Sequence, residues 1–370
     1  MTFERTRSRS EYLHWAKTAP TARFNLATSG IASLPLNELP FDGDHWELSP
    51  PGGYGYGPLL ERLAEKCNVS PENVVAATGA SMANFLAMAA VLEPGDEVLI
   101  EHPTYEPLLA VARHLGAEIR RFPRLFDSGF QLIPESVRKH VSKRTRLIVL
   151  TNFHNPSGVE IPEETIAEIG DIARTVRARV LVDEVYLEMR FDPGAQCAFY
   201  YGDEFITTSS LTKAYGLSGL RCGWILAASE LAERMWRLSD LFDNIPAHLA
   251  ERLSLAALDS LDTIAARANL ILRGNRPLLD AFLDARADLE VVRPVCGTIV
   301  FPRLARGDGQ SFARFAREKY DVAVVPGHFF EMPQHFRIGI GGDTEILRAG
   351  LERLSQALDA FSKQEIAHHD

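Results

Sequence analysis

The run SSLTKAYGLSGLRCGW, residues 209–224, decides how the chain is read. It starts on the polar end of one β-branched segment, FITTSS at 205–210, and finishes on another, CGWILA at 222–227. Between them lies a loop with Gly216 and Gly219 and a single lysine, Lys213. Ser210 precedes that lysine by three residues and Arg221 follows it by eight. A lone loop lysine is ordinarily a solvated charge, so the weight rests on the whole run and on what surrounds it.

Outward from this run, short apolar segments alternate with longer helical ones from about residue 74 to residue 227. That alternation predicts parallel strands joined by crossover helices. The strand candidates are VVAAT (74–78), EVLIE (97–101), RLIVLTN (146–152), RVLVDEVY (179–186), FITTSS and CGWILA. MANFLAMAAVL, YEPLLAVARHLG and PEETIAEIGDIARTV follow the first three, with apolar residues at three- and four-residue spacing. From Ser229 to Arg286 the residues are almost all helix formers, which predicts a long helix bridging the main domain to the C-terminal part of the chain. There LEVVRP, GTIVFPRL, VAVVPG and FRIGIG, interspersed with the helical SFARFAREKY and TEILRAGLERLSQALDAFS, predict an α+β unit.

Composition narrows the class of function. The chain has 370 residues, 46% of them hydrophobic, enough to bury a large core. Its formal net charge of -10 lacks the basic footprint of a nucleic-acid binder. Cys67, Cys197, Cys222 and Cys296 form no CxxC pair, so neither a metal site nor a disulfide framework is expected, and a reducing cytoplasm fits. The first residues, MTFERTRSRSEYLHWAKTAP, lack the apolar core of a secretory signal, and no stretch reaches membrane-spanning length. The expectation is a soluble cytosolic protein.

The 209–224 run resembles the cofactor-lysine motif of fold-type I pyridoxal-phosphate (PLP) enzymes, and more closely that of the class I/II aminotransferases such as aspartate aminotransferase. The resemblance implies that Lys213 condenses with the cofactor aldehyde as a Schiff base, while Ser210 and Arg221 bind its phosphate. In LVDEVY it implies that Asp183 pairs with the pyridine nitrogen, Val185 packs on one ring face, and Tyr186 donates to the ring oxygen. NFHNPSG resembles the family's Asn-Pro-Thr-Gly turn with Ser157 in place of threonine, making Asn155 a second donor to that oxygen. By composition alone, the same residues make a simple turn.

Other segments match in the family's order. In ATGASMANFLAMA, Gly79 would let the amides of Ala80 and Ser81 meet the phosphate at a helix N-terminus. In HPTYEP, Tyr105 would stack on the pyridine. In FRIGIG, Arg337 resembles the arginine that grips the substrate α-carboxylate, a structural salt bridge being the competing account. In NLATSG, Gly30 resembles the glycine that admits substrate to the backbone. PPGGYGYGPLLERLAEK resembles the segment whose tyrosine reaches the neighbouring subunit's phosphate, with Tyr54 and Tyr56 both candidates.

The resemblance therefore implies an α/β fold of type I, with a mostly parallel seven-stranded sheet in a large domain (46–279). A small α+β domain would be built from both chain ends (1–45 and 280–370). It implies a homodimer with shared active sites, and transfer of an amino group between an L-amino acid and a 2-oxo acid. The catalytic set would be Lys213, Asp183 and Tyr186, with Arg337, Gly30 and Asn155 on the substrate. A carbon-sulfur β-lyase, or another lyase or synthase, would pass through the same Cα carbanion. A ligand-sensing PLP domain is less favoured, because about forty-five residues ahead of the large domain are too few for a winged helix. The substrate side chain is not legible, since no second substrate-binding arginine can be assigned.

Overall fold

The computed structural model describes residues 9–43, 46–191, 196–242 and 244–369. The charged residues 1–8, part of the stretch read for a leader, lie outside it.

Seven strands make the central sheet: β1 (Val74–Thr78), β2 (Glu97–His102), β3 (Glu118–Pro123), β4 (Thr145–Thr151), β5 (Arg179–Asp183), β6 (Phe205–Ser210) and β7 (Cys222–Leu226). Their order across the sheet is β1-β7-β6-β5-β4-β2-β3. All pairings are parallel except those of β7, which runs antiparallel to both β1 and β6. Six of these strands match the sequence reading within one residue at each end, save that the 179–186 segment stops at Asp183. The seventh, EIRRFP, was not legible as a strand. It is an edge strand paired only with β2, and its two arginines are partly exposed, so it carries no continuous apolar run.

The interior strands are buried on both faces, as a sheet covered by helices requires. The helices are α1 (Glu11–Thr18), α2 (Gly57–Cys67), α3 (Gly79–Val91), α4 (Glu106–His114), α5 (Pro134–His140), α6 (Glu163–Val176), α7 (Ser229–Ser239), α8 (His248–Asp259), α9 (Leu261–Asp284), α10 (Gly309–Tyr320) and α11 (Thr344–His369). Successive strand residues point to opposite faces. Val98, Ile100, Leu147, Val149 and Leu181 meet Leu86 of α3, Leu108 of α4 and Met235 of α7. Leu99, Ile148, Leu150, Val180 and Val182 meet Val137 of α5 and Ile166 and Ile169 of α6.

The helix expected from Ser229 to Arg286 is in fact three helices. Residues 240–247 separate α7 from α8, and Ser260 separates α8 from α9. Pro246, without an N–H and with a fixed φ, interrupts the first of these junctions. Beyond α9, strands of two to four residues form small sheets with helices α10 and α11 packed on them. One of these sheets pairs Phe24–Asn25 in parallel with Val322–Ala323, joining the two chain ends. Among the described residues, no helix is long and apolar enough to cross a membrane.

This topology gathers the C-terminal ends of the parallel strands on one edge of the sheet. Thr78, His102, Thr151, Asp183 and Ser210 end there, and β7 begins there with Cys222. In open α/β sheets that edge is where ligands bind.

Candidate active site

A cavity of about 430 Å³ lies over this edge. It is lined by Lys213, Asp183, Asn155, Tyr186, Ser210 and Arg221 from the strand ends and the loop between β6 and β7. Ala80, Ser81 and Asn84 come from α3, Val185 follows β5, and Tyr105 precedes α4. Nearly all of the predicted cofactor residues therefore stand around one space.

Lys213 is held where its amine is poorly solvated. Burial lowers its pKa to about 8, with the Arg337 guanidinium pushing the same way and Asp183 opposing. Its Nζ donates to Ser29 Oγ at 3.0 Å, and the Ser29 hydroxyl also bonds Tyr186. Burial pushes the Tyr186 phenol up to about 12, so it remains a neutral donor at physiological pH.

Asp183 is the last residue of β5 and is buried. Burial raises its pKa, against hydrogen bonds from Asn84 and the Val185 N–H that favour the ionised form. Asn84 Nδ2 donates to Asp183 Oδ2 at 2.8 Å, and Asn84 Oδ1 accepts from Thr208 Oγ1 at 2.6 Å. The amide is thereby oriented with its nitrogen toward the carboxylate.

At the β7 end, Gly79 opens α3 with φ +75. A Cβ there would lie 2.8 Å from Cζ of Arg221, and one on Gly223 would lie 2.7 Å from Gly79 Cα. The left-handed φ at Gly79 and the backbone clash at Gly223 both disfavour a side chain, so the two glycines let the helix start, β7 and Arg221 converge. The N-terminal amides of a 13-residue helix then sit beside a guanidinium, an arrangement suited to an anion.

A buried chain of bonds links the cavity to the opposite wall. Arg124 Nη1 donates to Glu101 Oε2 at 2.9 Å, and Thr151 Oγ1 donates to Glu101 Oε1 at 2.6 Å. Thr151 Oγ1 in turn accepts from the Asn155 N–H at 2.9 Å. Asn155 Oδ1 accepts from Arg337 Nη1 at 2.8 Å, which leaves the Asn155 amide nitrogen for a ligand of the cavity. Arg337 is buried in the short strand Phe336–Gly339, its Nη2 donates to Tyr12 OH at 2.9 Å, and its Nε has no hydrogen-bond partner. Among the described residues no carboxylate pairs with it, contrary to a structural salt bridge.

Gly30 packs against the lysine, and a Cβ there would touch Lys213 Cα and Cδ at 3.4 Å. Its segment is stitched in place by Ile31 N–H to Lys213 O at 2.8 Å and Ala32 N–H to Gly341 O at 2.7 Å. Tyr54 and Tyr56 do not line the cavity. Tyr54 OH donates to Asp240 at 3.0 Å and its ring lies by Trp236, while Tyr56 packs against His248 and Arg252.

Sequence reasoning missed Asn84, Ser29, Tyr12 and the whole of α1. An asparagine among Ala83, Leu86, Ala87 and Met88 on the buried face of a helix was a usable signal, since a buried amide needs a partner. Tyr12 carried no such signal. Its helix is capped by Ser10, whose Oγ accepts from the Leu13 N–H at 3.1 Å and also bonds Glu106.

Residues 51–354 match the family profile of "Aminotransferase class I and II". The chain is 31% identical over 309 residues to the capreomycidine synthase of Streptomyces vinaceus, covering 82% of this chain and 79% of that protein. It is 29% identical over 331 residues to a probable aspartate/prephenate aminotransferase of Thermus aquaticus, covering 84% of each. A solved PLP-dependent aminotransferase from Streptococcus suis superposes with a TM-score of 0.90 at 27% identity, over 95% of this chain and 98% of that one. With a matching profile over most of its length and the strand-edge cavity of such an enzyme, the chain belongs to the class I and II aminotransferases.

Proposed function

We propose that the protein moves an amino group between an L-amino acid and a 2-oxo acid with PLP bound on Lys213. The observation that carries this reading is a buried amine of lowered pKa and a buried carboxylate lining one cavity. PLP-dependent transamination is the activity of the family to which the chain belongs.

The residues fit that cofactor. Glycines at 79 and 223 leave room that a Cβ would fill, and the amides of Ala80 and Ser81, Ser210 and Arg221 would hold the phosphate. Asp183 would meet the ring nitrogen, Tyr186 and Asn155 the ring oxygen, and Tyr105 and Val185 the two ring faces.

When bound, PLP supplies an electron sink for the substrate Cα. Asp183, steadied by Asn84, keeps a proton on the ring nitrogen. Lys213, whose lowered pKa, near 8, leaves a minor but accessible neutral fraction at physiological pH, would take the proton from Cα as general base and deliver it as general acid to the cofactor carbon. Arg337 grips the α-carboxylate, and Gly30 lets the substrate lie close to the lysine. Leu13 and Tyr105 help to keep water from the reacting centre.

Holoenzyme given an amino acid and no acceptor is expected to convert its cofactor to the amine form and release the matching 2-oxo acid. Borohydride reduction beforehand should tag Lys213 in a peptide map. A tag elsewhere, or continuous release of ammonia and pyruvate, sinks the proposal. That last outcome would favour a lyase or synthase on the same carbanion, a reading supported by the 31% identity to a protein named a synthase.

The domain division at residues 46 and 279 and a shared-site homodimer belong to the same proposal. The pairing of Phe24–Asn25 with Val322–Ala323 supports a small domain made from both ends. Leu36, Phe41, Leu48, Leu241, Phe242 and Leu249 are exposed apolar side chains in segments flanking α2, α7 and α8, which suits a covered face. Tyr54, 39% exposed, is the better placed of the two tyrosines to reach a partner's phosphate. Four free thiols suit a reducing cytoplasm.

A further inference from the structure

A second cavity, of about 770 Å³, lies on the face of the sheet opposite the space around Lys213. Successive strand residues alternate between the two. Thr208 bonds Asn84 and Ser210 lines the cofactor side, whereas Thr207 and Ser209 line the second cavity. Asp183 and Glu184 divide in the same way. Trp224 of β7, the end of α2 and the start of α9 complete the walls, and among the described residues none lines both cavities.

Charge in this second cavity is unbalanced. Among the described residues its lining carries three carboxylates, Glu184, Glu188 and Asp262, and one cation, Lys66. That cation is taken: Lys66 Nζ donates to Glu188 Oε1 at 2.6 Å, and Tyr215 OH donates to the other Glu188 oxygen. Glu184, only 3% exposed, accepts the Ala198 N–H on Oε1 at 2.8 Å, and among the described residues no cation pairs with it. Burial raises its pKa to about 8, against the Ala198 bond, and the charges of Asp183 and Glu188 add to the rise. Ser209, 8% exposed, brings to the same cavity a buried hydroxyl with no hydrogen-bond partner. A buried carboxylate and hydroxyl in this state are costly unless a ligand completes them. Among the described residues no three histidine, cysteine or acidic side chains converge as metal ligands, which turns the reading from a metal ion to an organic cation.

We infer that this cavity is a binding site, separate from the reacting centre, for a small organic cation bearing an amidinium or guanidinium group, with Glu184 as its counter-ion. Each carboxylate oxygen has two acceptor positions, so the Ala198 bond leaves both oxygens open to the planar fork of such a group. Ser209 Oγ would accept a further N–H. The Lys66 ammonium already lies over the Trp224 ring at 5.8 Å, so one wall presents an aromatic face to positive charge. An anion would meet three carboxylates, and a neutral ligand would leave Glu184 without a counter-charge. The inference stands apart from the aminotransferase reading, because no residue given a part in that chemistry lines this cavity.

The test is calorimetric titration of the holoenzyme with benzamidine against benzamide, its uncharged counterpart; neither carries an alkyl amine that would displace Lys213. Benzamidine is expected to bind more tightly by roughly tenfold to a hundredfold, the range for bonds to charged groups. That preference should fall toward unity in Glu184→Gln. In Ser209→Ala it should shrink by roughly threefold to tenfold, the range for one neutral hydrogen bond. Capping the cofactor with aminooxyacetate, which fills the space around Lys213, should leave the benzamidine affinity unchanged. Should Glu184→Gln not fold, Ser209→Ala and the capping comparison on the unaltered protein decide the matter. Equal affinities for the two probes, or a preference that no folded variant moves, overturn the inference. Loss of benzamidine binding on capping overturns it too, because the cation then sits over Lys213.

Discussion

The two halves of the active-site cavity are built in different ways. The floor comes from strand ends and the turns beyond them: Asp183 at the end of β5, Asn155 just past β4, Ser210 at the end of β6, and Lys213 and Arg221 between β6 and β7. The roof comes from α1 and the extended segment around Ser29, with Arg337 from the last quarter of the chain bonded to Asn155 and Tyr12 of its walls. The floor is local in sequence, whereas the roof is assembled from pieces about three hundred residues apart. On the proposed reading, the contacts to the cofactor thus lie on the sheet edge, and the contact to the substrate carboxylate lies on the elements that close over it.

Alterations in the floor should be the most damaging. Lys213→Ala is expected to lower kcat by about 10⁴-fold or more, the upper range for a lost acid–base group compounded by loss of the covalent anchor. Single-turnover kinetics check this, and a loss of under tenfold would deny the lysine its role. Asp183→Asn comes next, with kcat falling roughly 10²-fold to 10³-fold because a neutral amide cannot hold the ring nitrogen protonated. Asn84→Ala is its weaker relative. Leaving the buried carboxylate without its donor should cost about 1–3 kcal/mol of stability, read from denaturant melts of the apoprotein.

On the roof, Arg337→Met should act mainly on binding. KM for amino acids is expected to rise roughly ten- to a hundredfold with a smaller change in kcat, since the lost bonds serve ground state and transition state alike. An equal fall in kcat would place Arg337 in the chemistry and blur the distinction between the halves.

The smallest effect tests the coupling between the halves. Lys213 has a lowered pKa, near 8, so its neutral fraction grows as pH rises from 7 to 9. Uptake of PLP by the apoenzyme, followed by visible absorbance, should accelerate across that window and level off above it. Arg337 contributes to the lowering, so Arg337→Met should move the midpoint to higher pH. A midpoint that stays in place would show the two halves to be electrostatically independent.

The floor was legible because its residues are fastened to strong local signals. A buried parallel strand announces itself as an apolar run, and the residue that ends it is placed by the sheet edge alone. Asp183 and Ser210 are placed this way, whereas Lys213 and Asn155, in the loops beyond, were singled out by the resemblance of their segments to the family's motifs. Edge strand β3 was not, because Arg120 and Arg121 break the apolar pattern and pairing with β2 supplies what the side chains do not. The long helix expected after Ser229 failed for the opposite reason. Helix propensity persists through the segment, but turns around Pro246 and Ser260 divide it where packing requires.

By itself the sequence determined six of the seven strands of the sheet through their apolar periodicity, and the resemblance of its motifs to a family singled out Lys213, Ser210, Arg221 and Asp183 as the candidate site. Only the tertiary structure decided that Tyr12 bonds Arg337 and that Ser29 bonds Lys213. It alone brought Arg317 and Lys17 to one space, where among the described residues no aspartate or glutamate stands. Such contacts carry no periodic signature, for they arise when distant segments close over the sheet edge and the geometry of closure settles which polar groups meet.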